Sequence, residues 1–212
     1  MKKIVLGILF SVMLSGVAFA IPALPTGYDW VDTPYWSITD DTTAANGDIV
    51  AEIKIENAGF ESDFGIFTVD DVQNPTSILD TFTIFEYDEE VVALGGDKSV
   101  YFKNEGGVYS VSLDQTTWTV FDKSFGFYFA VHTGGASDPT ADYFYYTDNQ
   151  FNTPDAGIDH LLMAFDGTSK AIFYLDDQPA GGADGDFDDM VVSVNDVAPV
   201  PEPGTLLLLG GG

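Results

Sequence analysis

Six carboxylates fall within fourteen residues at Asp176, Asp177, Asp184, Asp186, Asp188 and Asp189. Gly181, Gly182 and Ala183 lie between the first pair and the rest, so the segment can turn tightly. Carboxylates this close repel one another, which raises their pKa values or loosens the loop unless a cation neutralises them. A hard divalent ion suits the set. Calcium takes six to eight oxygens from carboxylates, carbonyls and water, and Asp-x-Asp-x-Asp is how one loop supplies alternate ligands. Asp184, Asp186 and Asp188 are therefore the first expected ligands, with Asp177 closing the site from the preceding strand, and calcium is the expected ion. The loop is not an EF-hand: counted from Asp184, position six is Asp189 rather than Gly and position twelve is Asn195 rather than Glu. The competing reading is a solvated acidic hairpin.

Other groups promise less chemistry. His132 and His160 are the two histidines, far apart in the chain, and no serine stands in a nucleophile-elbow context near either. Each reads as a surface or packing residue on a strand. Paired carboxylates could serve a glycoside hydrolase, but with 34 acidic residues such pairs are unavoidable and identify no catalytic residue. Tyr143-Phe144-Tyr145-Tyr146 with Trp30, Tyr35, Trp36 and Trp118 could stack on sugar rings; alternating aromatics in a sandwich more often fill its core.

The charge balance removes whole classes of partner. Against 34 acids stand seven Lys and no Arg, for a net charge of -27. Phosphate backbones require clustered Lys and Arg, so nucleic acid is excluded. Cysteine is absent, which rules out thiol chemistry, disulfides and thiolate zinc. The chain is nevertheless 45% hydrophobic with 17 Phe and 10 Tyr, far from the composition of a disordered acidic segment.

The elements that must carry these residues read as strands. Asp48 to Glu56 puts Ile49, Ala51, Ile53 and Ile55 on one face and Glu52, Lys54 and Glu56 on the other. Ser124 to His132 sets Phe125, Phe127, Phe129 and Val131 against Ser124, Gly126, Tyr128 and His132. Val108–Leu113 alternates likewise, and 82–87, 99–103, 117–121, 143–146, 160–165, 171–175 and 190–194 are further candidates. Gly-containing connections at 95–97, 104–107 and 166–168 suit hairpins. No helical periodicity is found outside the N-terminal segment. The expected fold is all-β, an antiparallel two-sheet sandwich of jelly-roll type over residues 21–197, without enzymatic activity.

The two ends speak to location. Lys2 and Lys3, an apolar run to Val17 and Ala18-Phe19-Ala20 form a secretory signal over 1–20, with cleavage expected before Ile21. Residues 196–205 are rich in proline and read as a linker that stays outside any sheet. The tail Val200-Pro201-Glu202-Pro203-Gly204-Thr205, followed by Leu206–Leu209, resembles the PEP-CTERM sorting signal of Gram-negative bacteria. The resemblance implies a sorting signal within 198–212 centred on Pro201, Glu202 and Pro203, an exosortase as processing partner, and an association with exopolysaccharide and biofilm. The family's tail continues through a full membrane helix into a basic cluster; Leu206–Leu209 is too short for the roughly 20 residues of a span, so the expectation is either a truncated chain or a sorting signal that is not functional as written.

Asp176–Val194 resembles the close of a domain family of unknown function common in bacterial surface proteins. Its members end in an acidic pair, a Gly-rich turn, Asp-x-Asp-Phe/Tyr-Asn/Asp-Asp and an apolar strand. The likeness extends upstream through Phe64-Gly65-Ile66-Phe67, Phe125-Gly126-Phe127-Tyr128 and 160–165. It implies a domain and a location at the cell surface, and no reaction. Two other readings stay open: a carbohydrate-binding module with exposed aromatics, and a glycoside hydrolase-like enzyme.

Overall fold

The alternation in Ser124–His132 builds the strand around which the protein is organised. The computed structural model describes residues 21–39, 46–56, 61–87, 97–134, 140–179 and 185–201. In chain order the strands are β1 (Asp29–Val31), β2 (Trp36–Ile38), β3 (Asn46–Glu56), β4 (Glu61–Val69), β5 (Ile78–Phe85), β6 (Asp97–Glu105) and β7 (Val108–Ser112). There follow β8 (Thr119–Phe121), β9 (Ser124–His132), β10 (Tyr143–Tyr146), β11 (Leu161–Phe165), β12 (Lys170–Leu175), β13 (Met190–Asn195) and β14 (Val197–Pro199). Apart from a 3-10 turn at Asn149–Phe151, no helix occurs among the described residues.

Two antiparallel sheets pack face to face, as the alternating patterns require. One has eight strands in the order β1-β11-β12-β13-β3-β6-β7-β8; the other runs β14-β2-β9-β4-β5, with β10 joined to β9. One edge of β9 is shared end to end, its start pairing with β2 and its later residues with β10, while β4 takes the other edge. The inward residues Phe125, Phe127, Phe129 and Val131 meet Phe64 and Ile66 of β4 and Phe102, Phe173 and Leu175 of the opposite sheet. Phe127 is the hub, with ring centroids 4.3 Å from Phe173 and 5.6 Å from Phe64. Each such side chain contributes about 1.5–3 kcal/mol on leaving water.

The opposite face of β9 is buried too. Tyr128 and Ala130 pack with Tyr35, Phe67 and Val69 under Val72, Phe144, Tyr146, Phe151 and Val200. Loops on both sides of the strand fold over it, and the glycines make room for the aromatics. Gly65 stands opposite Tyr128 and Gly126 opposite Phe67 in the β4–β9 register. A Cβ at Gly65 would come within 2.6 Å of the Tyr128 ring, and one at Gly126 within 2.2 Å of the Phe67 ring.

Four strands escape the sequence patterns, β1, β2, β4 and β14. The expectation that the segment from 196 stays outside any sheet is corrected here. Val197, Ala198 and Pro199 pair antiparallel with Ile38, Ser37 and Trp36. β14 is the outermost strand of its sheet, where a proline's missing N–H can face outward at no cost to the ladder. Asp196, at φ 64°, is the single residue between β13 in one sheet and β14 in the other. The Gly106-Gly107 and Gly167 turns form as expected, all three glycines at positive φ; the 95–96 glycines lie outside the described residues.

Candidate metal centre

The acidic segment closes the hairpin between β12 and β13, whose last register pair is Leu175 with Met190. The sheet continues briefly past that pair: Asp176 N–H donates to the His160 carbonyl at 3.0 Å and Asp189 N–H to the Leu175 carbonyl at 3.2 Å. Asp176 and Asp177 thus sit at the sheet's end, 3% and 1% exposed. Asp176 accepts from Gly185 N–H at 3.1 Å through Oδ2 and from Gln178 N–H at 3.3 Å through Oδ1. Asp177 N–H donates to Asp189 Oδ2 at 2.8 Å. These bonds draw the two limbs of the loop together.

Phe187 sets the geometry between them. It takes φ 55°, a left-handed value that is uncommon for a residue with a side chain. Its ring joins Leu162, Ala164, Tyr174 and Val191 on the outer face of the eight-stranded sheet, alongside Leu24 and Tyr28. With Phe187 anchored, Asp186 and Asp188 flank it, and their carboxylate oxygens gather with that of Asp189 within 4.8 Å of one another. Asp186 and Asp189 are half-buried and Asp188 is exposed, so the group is open to solvent on one side.

Of the expected ligands, Asp186 and Asp188 come together, and Asp189 joins them. Asp177 lies beneath, tied to Asp189 through its backbone. Asp184 lies outside the described residues. All the donors in this group are carboxylates, which suits a hard cation and not a thiophilic one. Two nearly fully buried carboxylates lie below three clustered ones, and like charges held this close disfavour one another's ionised form.

A second layer stands behind the loop and was not legible beforehand. His160 is 2% exposed, so of the two expected roles, surface or packing, it is the packing one. Its Nδ1 is 3.3 Å from the Asp176 carbonyl oxygen and its Nε2 is 3.3 Å from Asp155 Oδ2. The ring stacks on Tyr145 with centroids 4.0 Å apart and planes at 14°. Tyr145 is fully buried, and its hydroxyl has no hydrogen-bond partner among the described residues. Burial first, then the charges of Asp155, Asp176 and Asp177 among others, push that hydroxyl well above the ordinary tyrosine range. It stays protonated at any physiological pH. His132 repeats the design at the other sheet, stacked on Tyr87 at 4.0 Å with Nε2 3.3 Å from Asp63 Oδ2. The closest sequence signal for the His160 unit was that Asp155 and His160 both lie in the segment leading into β11; the Tyr145 contact crosses between sheets.

No family model, curated protein or solved structure matches the chain.

Among the aromatics weighed as sugar platforms, Trp36 and Tyr145 are core, Tyr35 is buried, and Phe144 and Tyr146 pack on the outer face of the six-stranded sheet. Trp118 lies under the Lys103 ammonium at 4.5 Å. Trp30 is 40% exposed. Pro201 follows Val200, whose N–H donates to the Tyr35 carbonyl at 2.8 Å. Glu202, Pro203 and the signal segment 1–20 lie outside the described residues. Among the described residues no helix is long and apolar enough to cross a membrane.

Proposed function

We propose that this chain is an exported, non-catalytic cell-surface or matrix protein of a Gram-negative bacterium, folded around calcium at the 176–189 loop. One observation carries the calcium reading: Asp186, Asp188 and Asp189 converge at the mouth of a hairpin whose base buries Asp176 and Asp177. A divalent ion coordinated there relieves repulsion among groups the fold otherwise forces together. Supporting the location are the N-terminal secretory pattern and the Pro201-Glu202-Pro203 tail, through which an exosortase would sort the protein into an exopolysaccharide layer. The net charge of -27 adds a physical reason for calcium in such a layer, because an acidic protein and an acidic polymer approach each other only with a cation between them. The test is thermal unfolding of residues 21–201 with calcium, with magnesium and with chelator. Stabilisation by calcium that disappears in Asp186→Asn/Asp188→Asn supports the reading; equal gains in both proteins sink it.

A further inference from the structure

A cleft opens where β1, the edge strand of the eight-stranded sheet, faces the loop after β10. It encloses about 250 Å³, and its lining includes Trp30, Asp32, Asp148, Asn149, Asp159 and Leu162. The volume lies just under the roughly 300–1,000 Å³ of drug-sized pockets, which suits a single ring with the remainder of a ligand outside.

The loop wall is fixed before any ligand arrives. Asp148 Oδ2 accepts from the Tyr35 hydroxyl at 2.7 Å and from Gln150 Nε2 at 2.8 Å. Asn152 accepts from Tyr146 N–H and donates to the Ile158 carbonyl, both at 2.7 Å. Gly157 N–H donates to the Asn149 carbonyl at 2.7 Å, and the Asn149 side-chain amide donates to Asp159. On the strand side, Trp30 meets Tyr174 edge-on at 5.6 Å while 40% of its surface stays open. An indole exposed at the rim of a cleft beside carboxylates and an amide offers two kinds of contact: an apolar face, and acceptors for hydroxyl donors. No Lys lines the cleft, and Asp32, Asp148 and Asp159 repel anions.

We propose that this cleft binds one neutral sugar unit of a polysaccharide, its C–H face on the Trp30 side and its hydroxyls donating to Asp32 and Asp159. A pyranose ring combines an apolar face with a rim of hydroxyls, and a polymer continues past the open edge of β1. The inference rests on the reading of an exported matrix protein for the polymer's presence, and is independent of the calcium loop.

Native affinity electrophoresis of residues 21–201 tests it, with dextran, laminarin and hydroxyethyl cellulose as neutral probes, in calcium throughout. At least one neutral polymer should retard the protein, and Trp30→Ala should weaken retardation at least tenfold. Asp32→Asn/Asp159→Asn alters only exposed side chains and serves as the second variant should Trp30→Ala fold poorly; it too should weaken retardation. Asp186→Asn/Asp188→Asn should be retarded like the parent, so that loss of the calcium effect and loss of sugar binding are read separately. Failure of all three neutral polymers, or equal retardation of the parent and the cleft variants, overturns the proposal.

Discussion

The Phe67 ring lies across Gly126, its register partner on the neighbouring strand, so closely that a Cβ at 126 would come within 2.2 Å of it. Gly65 and Tyr128 repeat the arrangement two positions along the same strand pair. Gly126→Ala should therefore overpack this layer and destabilise the protein by about 1–3 kcal/mol. Urea unfolding measures it. Phe67→Ala in the same chain removes the clash, so the two changes should combine less than additively. Full additivity would mean that the glycine is not there for the ring.

Calcium should act through the 176–189 loop with a magnitude set in advance. Extracellular calcium sites commonly bind with Kd of about 10⁻⁴ to 10⁻³ M. At about a hundredfold excess over Kd the folded state gains roughly 2.7 kcal/mol. For a domain of this size that raises Tm by about 5–10 °C. Magnesium should do less, since it holds its waters and demands a small octahedral site. Asp186→Asn/Asp188→Asn should remove most of the gain. A response equal for calcium, magnesium and plain salt would be screening alone and would count against the site.

High pH should destabilise the fold through its buried tyrosines. Burial, with Asp148 accepting from its hydroxyl, raises Tyr35 far above its ordinary pKa; burial also raises Tyr145, and pushes Tyr128 up to about 12. The folded state therefore holds protons that the unfolded chain releases above about pH 10. Stability is fully present below that value and falls as pH rises toward the folded pKa values. Ultraviolet titration should show these hydroxyls ionising only together with unfolding. Tyr145→Phe should flatten the alkaline slope and leave stability at neutral pH unchanged or slightly raised, because its hydroxyl has no hydrogen-bond partner among the described residues. A loss of several kcal/mol at neutral pH would contradict this.

The β11–β12 turn depends on one carboxylate. Asp166 Oδ1 accepts from the N–H groups of Thr168, Ser169 and Lys170 at 2.8–3.0 Å. Burial opposes its ionisation, but these bonds prevail and hold the carboxyl down at about 2. Its contribution is present above about pH 4 and is lost as pH falls toward the folded value. Asp166→Ala should cost about 1 kcal/mol near neutral pH and little once the carboxylate is protonated. An equal cost at both pH values would assign the effect to packing instead.

What could be read in the sequence followed the period of its apolar residues. Ser124–His132 and Tyr143–Tyr146 alternate or run short between turn signals, and both strands have the expected bounds. β4 gave no such signal, because after Asp63 its residues are buried on both faces and the two-residue rhythm disappears. β1 and β2 are three residues long, below what a pattern can declare. β14 was hidden by its proline, which forbids an interior strand but not an outermost one. The acidic loop stood out by composition alone. The His160–Tyr145–Asp155 unit and the Trp30 cleft did not, since neither follows the period of a single element: one is assembled across the two sheets and the other across the sandwich edge.

The crossover at Asp196 has a mechanical consequence. A pull on the chain from its C-terminal side loads β14 first, a three-residue outermost strand whose ladder partner is β2 and whose Val197 N–H also donates to the Ser169 carbonyl at 3.1 Å. Such an outermost strand opens one bond at a time, at low force. One residue later the load reaches β13, which lies between β12 and β3 and must slide against both at once. Tension thus meets a weak latch and then a strong one. A protein held by its tail in a flowing gel would yield a short length of chain while the rest of the sandwich stayed closed.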